Sequence, residues 1–410
     1  MTPTARPSVS AFVHSRRDAI TGLLVELVRI PSDNPPGDCA PHAARTAELL
    51  EGLGLAVERH KVPAEAARAH AMTSVTNLIV RRSFGAGGPT VALNVHGDVV
   101  PPGAGWTADP YGGEIRDGWL YGRGAAVSKS DISTYAFALL ALEHAGGKLR
   151  GSVELHITYD EETGGELGPA WLLAQNLSRP DIALCAGFSH AVTTAHNGCL
   201  HLEVVVTGRS AHAARPAAGI DALECATAIL AALYGFRGNL PARASAIPGI
   251  GAPQLTVGLI AGGINTNVVP DRVSFRLDRR IVPEENPARV EAELRDLIAI
   301  AAAAHPAKVG IRRLLLAAPL IPHQGAGRLA GLLCAHATNV MGAPVLPTGV
   351  PLYTDARHYA AAGIPVILYG AGPRSIEEAN AHRADERVPL AYLHRATEIV
   401  ALSLADYLSQ

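Results

Sequence analysis

The sequence predicts an α/β fold, a mostly parallel sheet with an inserted ferredoxin-like α+β domain, and three observations carry that expectation. The chain has 410 residues, more than the roughly 250–300 at which a single hydrophobic core stops growing, so two domains are expected. Short apolar runs alternate with helical patterns in both halves, as strands layered with helices require. Between residues 198 and 316 the order changes to strand, helix, strand, strand, helix, strand, the split βαββαβ unit. The expected limits are 1–197 and 317–410 for the larger domain and 198–316 for the inserted one.

Taken in order, Ile20, Leu23, Leu24, Leu27 and Val28 share one face of a helix over 9–30, which Pro31 ends. Residues 32–37, rich in proline and glycine, form a loop. A helix at 40–53 and strands at 56–61 and 76–81 follow. The run Thr90–His96 is largely apolar, as suits a strand buried on both faces. A helix at 131–145, a strand at 152–159, a helix at 169–175 and a strand at 181–185 complete the first part. The inserted unit has strands at 199–207, 254–260, 272–278 and 309–315, with helices at 220–234 and 287–303. A helix at 327–341, a strand at 365–369 and a helix at 390–408 close the chain.

Composition narrows the function. With 48% hydrophobic and 18% charged residues and a net charge of −2, the chain is not disordered. Lysine and arginine number 35 against 37 acidic residues, which leaves no basic excess for nucleic acid. No apolar run approaches the 18 or so residues of a membrane span. Residues 1–17 lack the apolar core of a secretion signal, so a cytoplasmic location is expected. Cys39, Cys185, Cys199, Cys225 and Cys334 are odd in number and lack CxxC spacing. Buried free thiols are expected, with neither a disulfide framework nor a thiolate zinc site.

Three polar clusters follow strands or glycine-rich turns. His96-Gly97-Asp98 ends a strand, where open α/β sheets place their ligands. The aspartate there can hold a metal-binding histidine in one tautomer, although a histidine at a strand end is often only structural. Asp160-Glu161-Glu162 ends another strand, and reads either as a solvated turn or as a metal ligand beside a general base. His382 follows the glycine-rich segment 369–373.

In this order, with Leu24–Ser32, Tyr121–Ala125, Gly208–His212, Asn267–Asp271, Asp278–Arg280 and Thr354–Arg357, these segments resemble one family across nearly the whole chain. It is the zinc-dependent family of aminoacylase, acetylornithine deacetylase and succinyl-diaminopimelate desuccinylase. The resemblance implies an amidohydrolase cleaving a small N-acyl amino acid, dipeptide or related metabolite, with a carboxylate-bearing substrate. It implies a homodimer formed through the inserted domain, which acts as a lid. Glu161 resembles the general base; His96, Glu162 and His382 resemble metal ligands; Asp98 resembles the residue orienting His96. His212 resembles a histidine reaching a partner's site, and Asn267 and Arg280 resemble groups holding the substrate's carbonyl or carboxylate.

Two positions depart from that pattern. Val127 stands where the family has the aspartate bridging two metals, and Gly187 where it has a glutamate ligand. Three ligands remain, enough for one zinc with water. Asp131 or His190 could substitute for a lost ligand, although Asp131 is equally placed to cap its helix. A metal-free acyltransferase, acid–base enzyme or ligand-binding pseudoenzyme is the alternative. Ser128 and Lys129 form a less favoured nucleophile pair, because neighbours at i and i+1 do not face each other on a helix.

Overall fold

The computed structural model describes residues 5–146 and 148–409. Its contacts divide the chain into a larger unit, Met1–Thr194 with Pro322–Pro347 and Thr354–Gln410, and a smaller one, Ala195–Ile321 with Thr348–Tyr353.

The larger unit is built on a sheet of strands in the order Val57–Lys61, Thr76–Gly85, Gly151–Thr158, Thr90–His96, Ile182–Cys185, Val366–Leu368 and Val192–His196, the last of which runs on into the smaller unit. The four middle strands, from Gly151–Thr158 to Val366–Leu368, run parallel. The first two join antiparallel at one edge. The middle strands are buried on both faces, which is why they read as apolar runs rather than as alternation.

Register positions the site. Thr90 pairs with Ser152 and His96 with Thr158, so the two strands end level. The tails Gly97-Asp98 and Tyr159-Asp160 therefore leave the sheet side by side. A Cβ on Gly97 would come within 2.5 Å of the Tyr159 ring, so only glycine allows this close passage.

Helix Lys129–Ala145 is buried on nearly every side among helices Ala5–Ser15, Arg17–Val28 and Leu390–Leu408. The expected helix at 9–30 is two helices that break at Arg16. There the Ser15 hydroxyl donates to the carbonyl of Phe12 at 2.8 Å, a local bond that competes with helix continuation. The break lets Val9 and Val13 as well as Ile20, Leu24 and Leu27 reach one core. Elements without a sequence signal are short. They include helix Ala356–Ala361 and the three-stranded sheet of Arg387–Pro389, Trp119–Tyr121 and Glu114–Arg116.

The smaller unit is an antiparallel sheet in the order Leu255–Gly262, Arg272–Ile281, Gly198–Thr207, Lys308–Ala317, the ferredoxin-like arrangement. Its helices, Ala222–Arg237 and Pro287–Ala302, are capped by the side chains of Asp221 and Asn286. They pack with Leu200, Leu202, Val204, Phe275 and Leu277 in one core. Alternation along the strands puts His201, Glu203, Asp278 and Arg280 on the opposite face. None of the five cysteines is in a disulfide, and Cys334 is only half-buried. Among the described residues no helix is long and apolar enough to cross a membrane.

Candidate active site

The site begins with how His96 is held. Its Nδ1 lies 3.0 Å from the carbonyl oxygen of Asp98 and 3.4 Å from Oδ1 of the same residue. A proton on Nδ1 is satisfied there, which leaves Nε2 as the binding nitrogen. Ser128 fixes the strand end, its hydroxyl donating to the His96 carbonyl at 3.1 Å and accepting from the His96 N–H at 3.3 Å. Asp98 is fully buried and accepts from Asn34 Nδ2 at 2.9 Å and from the backbone N–H groups of Glu161 and Glu162 at 3.3 and 3.2 Å. One carboxylate thus joins three loops and touches His96 and the backbone of both glutamates. Ligand atoms of His96, Glu161 and Glu162 all lie within 4.8 Å of one another.

His382 arrives from far along the chain, with Nε2 3.3 Å from Glu162 Oε1. It sits at φ 60°, in the left-handed region that non-glycine residues rarely occupy. Its turn is anchored by a feature that sequence reading passed over. Arg123 Nη1 meets Glu386 Oε2 at 2.7 Å, with both side chains only 1% exposed. Glu386 Oε1 also accepts from the N–H groups of Ala126 and Val127 at 3.0 and 3.1 Å. Asn34 was likewise passed over; it lies in a proline-rich stretch with no periodicity to mark it.

Asp98, Asp160 and Asp355 are buried, and half-buried Glu161 and Glu162 lie beside them. Burial pushes the Glu161 carboxyl up to about 8, and Glu162, Asp98 and Asp160 push the same way against the opposing charge of His96. Burial, then neighbouring carboxylates, also raises Asp160 and Asp355 well above the usual range. Burial disfavours a charged His96, but the Asp98 bond and the surrounding glutamates outweigh it and raise the imidazole. His382 is raised chiefly by its bond to Glu162. Such crowding of anions is what a bound divalent cation relieves.

The donors fit one cation. The Val127 side chain has no lone pair, and its backbone N–H is bound to Glu386. Gly187 has no side chain, and its N–H donates to Asp131 Oδ2 at 3.2 Å. Asp131 takes a second N–H, from Ala371, at 2.6 Å and neither caps its helix nor joins the His96 cluster. Its carboxyl is raised to about 7 by burial, which those two donors oppose. His190 packs edge-on against Tyr392 at 4.5 Å and is bonded to Ser189. Neither residue replaces the missing ligands. Lys129 donates to the carbonyls of Leu27 and Ile30 at 3.2 and 2.9 Å, away from the His96 backbone that holds Ser128, so the serine–lysine pair does not form.

In the smaller unit His212 and Asn267 are exposed on adjoining segments, joined where the Ala213 N–H donates to the Asn267 carbonyl at 2.9 Å. Arg280 gives its Nε to Asp278 Oδ1 at 3.0 Å and lies over the Tyr353 ring. Burial raises Asp278, but His201 and Arg280 outweigh it and hold the carboxyl below its usual range.

Comparison with known proteins agrees with this geometry. The signature of Peptidase family M20/M25/M40 matches residues 92–406. A succinyl-diaminopimelate desuccinylase of Rhizorhabdus wittichii is 31% identical over 391 residues, covering 92% of this chain and 95% of the relative. An acetylornithine deacetylase of Myxococcus xanthus is 27% identical over 87% of this chain and 90% of its own. Among solved structures, the dipeptidase Dug1p of Saccharomyces cerevisiae shares the fold with a TM-score of 0.77 at 14% identity, over 99% of each chain.

Proposed function

This chain belongs to Peptidase family M20/M25/M40 and is a hydrolase acting on amide bonds, and from that premise we propose that it cleaves a small N-acyl amino acid, dipeptide or related metabolite with Glu161 as general base. The observation that carries this reading is the convergence of His96, Glu161 and Glu162 within 4.8 Å, with His382 against Glu162. His96, Glu162 and His382 would hold one zinc. That ion supplies Lewis acidity, acidifying water and polarising the amide carbonyl. Glu161 takes a proton from the attacking water and delivers it to the amine as the carbon–nitrogen bond breaks. His212, Asn267 and Arg280 bind the substrate's carbonyl or carboxylate.

The test pairs a panel of N-acyl amino acids and dipeptides with zinc analysis. Turnover is expected on members of that panel, and His96→Ala should lower zinc content by one per chain and abolish turnover. Unchanged zinc content would remove the proposed site. Val127 and Gly187 favour a second reading, metal-free acid–base chemistry, acyl transfer or ligand binding. Retained turnover in His96→Ala would select catalysis without the ion.

Zinc affinity should depend on pH. A cation held by His96, Glu162 and His382 lies beside Glu161 and favours its ionised form, against the proton that keeps that carboxyl neutral below about 8, so affinity should climb with pH until then. In metal-free protein the sign reverses. Because the folded value exceeds the ordinary glutamate value of 4.5, the stability this group contributes is complete below about 4.5 and is lost as pH rises through about 8. Isothermal titration and denaturant unfolding across that window check both slopes.

We further propose that the smaller unit forms a homodimer. Leu255–Gly262 is an edge strand with Leu259 and Ile260 exposed, and exposed Ile264 follows it, the kind of edge that pairs with another chain. If His212 completes the partner's site, a mixed dimer of His212→Ala and Glu161→Gln chains should recover activity that neither homodimer has. No recovery in a verified mixed dimer would confine His212 to its own chain.

A further inference from the structure

The polar face of the smaller unit carries a second cluster that the hydrolytic reading does not use. Cys199 and His201 stand two residues apart on strand Gly198–Thr207, so both point to the same side. Asp278 is the direct cross-strand partner of His201. Strand pairing alone therefore brings a thiol, an imidazole and a carboxylate together. Cys199 Sγ is 3.2 Å from His201 Nε2 and 3.6 Å from Asp278 Oδ2, and those last two atoms are 3.0 Å apart. Ligands of a tetrahedral zinc, with bonds of about 2.0–2.3 Å, are about 3.3–3.6 Å from one another. The three atoms need shift only by a few tenths of an ångström to accept the ion.

We propose that Cys199, His201 and Asp278 form a second zinc site, wholly within the smaller unit, with water as the fourth ligand. Three protein ligands with one open position suit zinc, and a sulfur–imidazole–carboxylate set excludes magnesium and calcium, which take oxygen. Charge balances when the Cys199 thiol loses its proton to solvent as the sulfur–zinc bond forms, because thiolate and carboxylate then offset the two positive charges. Arg280 is bonded to the other oxygen, Oδ1, and holds the carboxylate in orientation without competing for Oδ2. Cys199 is buried, while the His201 and Asp278 side chains are 35% and 29% exposed, which gives the ion an approach.

This site does not depend on the reading of the His96 cluster, whose donors are nitrogen and oxygen only. The test is titration of metal-stripped full-length protein with cobalt(II). A near-ultraviolet thiolate-to-cobalt charge-transfer band should appear and saturate within two equivalents, one for each proposed site, and at one equivalent in His96→Ala. Cys199→Ser should abolish it, and His96→Ala should retain it even where turnover is lost. Absence of the band in the wild-type chain, or its survival in Cys199→Ser, overturns the proposal. Should Cys199→Ser fail to fold, His201→Gln at a partly exposed position decides. Its affinity should drop by at least about tenfold, and an unchanged affinity overturns the site.

Discussion

Replacing Glu161 with glutamine is expected to cut turnover by about 10²–10⁴-fold while the fold and zinc content hold, since an amide cannot take the proton of the attacking water. The substitution keeps the shape of the side chain and, above the pH of about 8 at which the metal-free carboxyl ionises, removes one negative charge from a crowded set that includes Glu162, Asp98 and Asp160. The metal-free variant should therefore be no less stable than the parent. Loss in kcat with little change in KM would place the effect on the chemical step. Turnover within about threefold of the parent would remove Glu161 as the base, because a general base contributes far more than that.

The second large effect is expected away from the chemistry. Arg123→Met leaves Glu386 buried without its counter-charge, and breaking such a pair costs about 3–5 kcal/mol. The pair also ties the backbone at 126–127 to the segment that carries His382, through the N–H groups that Glu386 accepts. Zinc affinity at the His96 site should fall with stability, because His382 is then no longer held against Glu162. Denaturant unfolding and zinc titration read the two effects separately. A loss below about 1 kcal/mol would mean that the pair behaves like a solvated surface bridge.

These two predictions differ in how far the sequence could have led to them. Glu161 stands in a carboxylate run at the end of an apolar strand, and both features are visible in a linear reading. Arg123 and Glu386 are 263 positions apart, and nothing local distinguishes their partnership from two surface charges. The same holds for Asn34, which reaches Asp98 from a proline-rich loop. Asp131 shows the opposite case. Its place in the first turn of a helix suggests a cap, yet the fold turns its carboxylate to the N–H groups of Gly187 and Ala371. Those donors belong to distant loops, so only packing could reveal them.

Periodicity determined the architecture. The apolar runs at 90–96 and 152–158, the βαββαβ order from 198 onward and the long C-terminal helix arise from local alternation and burial, which a chain displays in one dimension. The residue types also determined that Val127 and Gly187 have no side-chain donor to offer a second cation. Tertiary structure alone decided the rest. Parallel register brought His96 level with Thr158, and a buried ion pair set the turn of His382. Cross-strand pairing placed Asp278 beside His201. Each depends on contacts between residues far apart in sequence, where the energy of burial and pairing, rather than local propensity, chooses the partner.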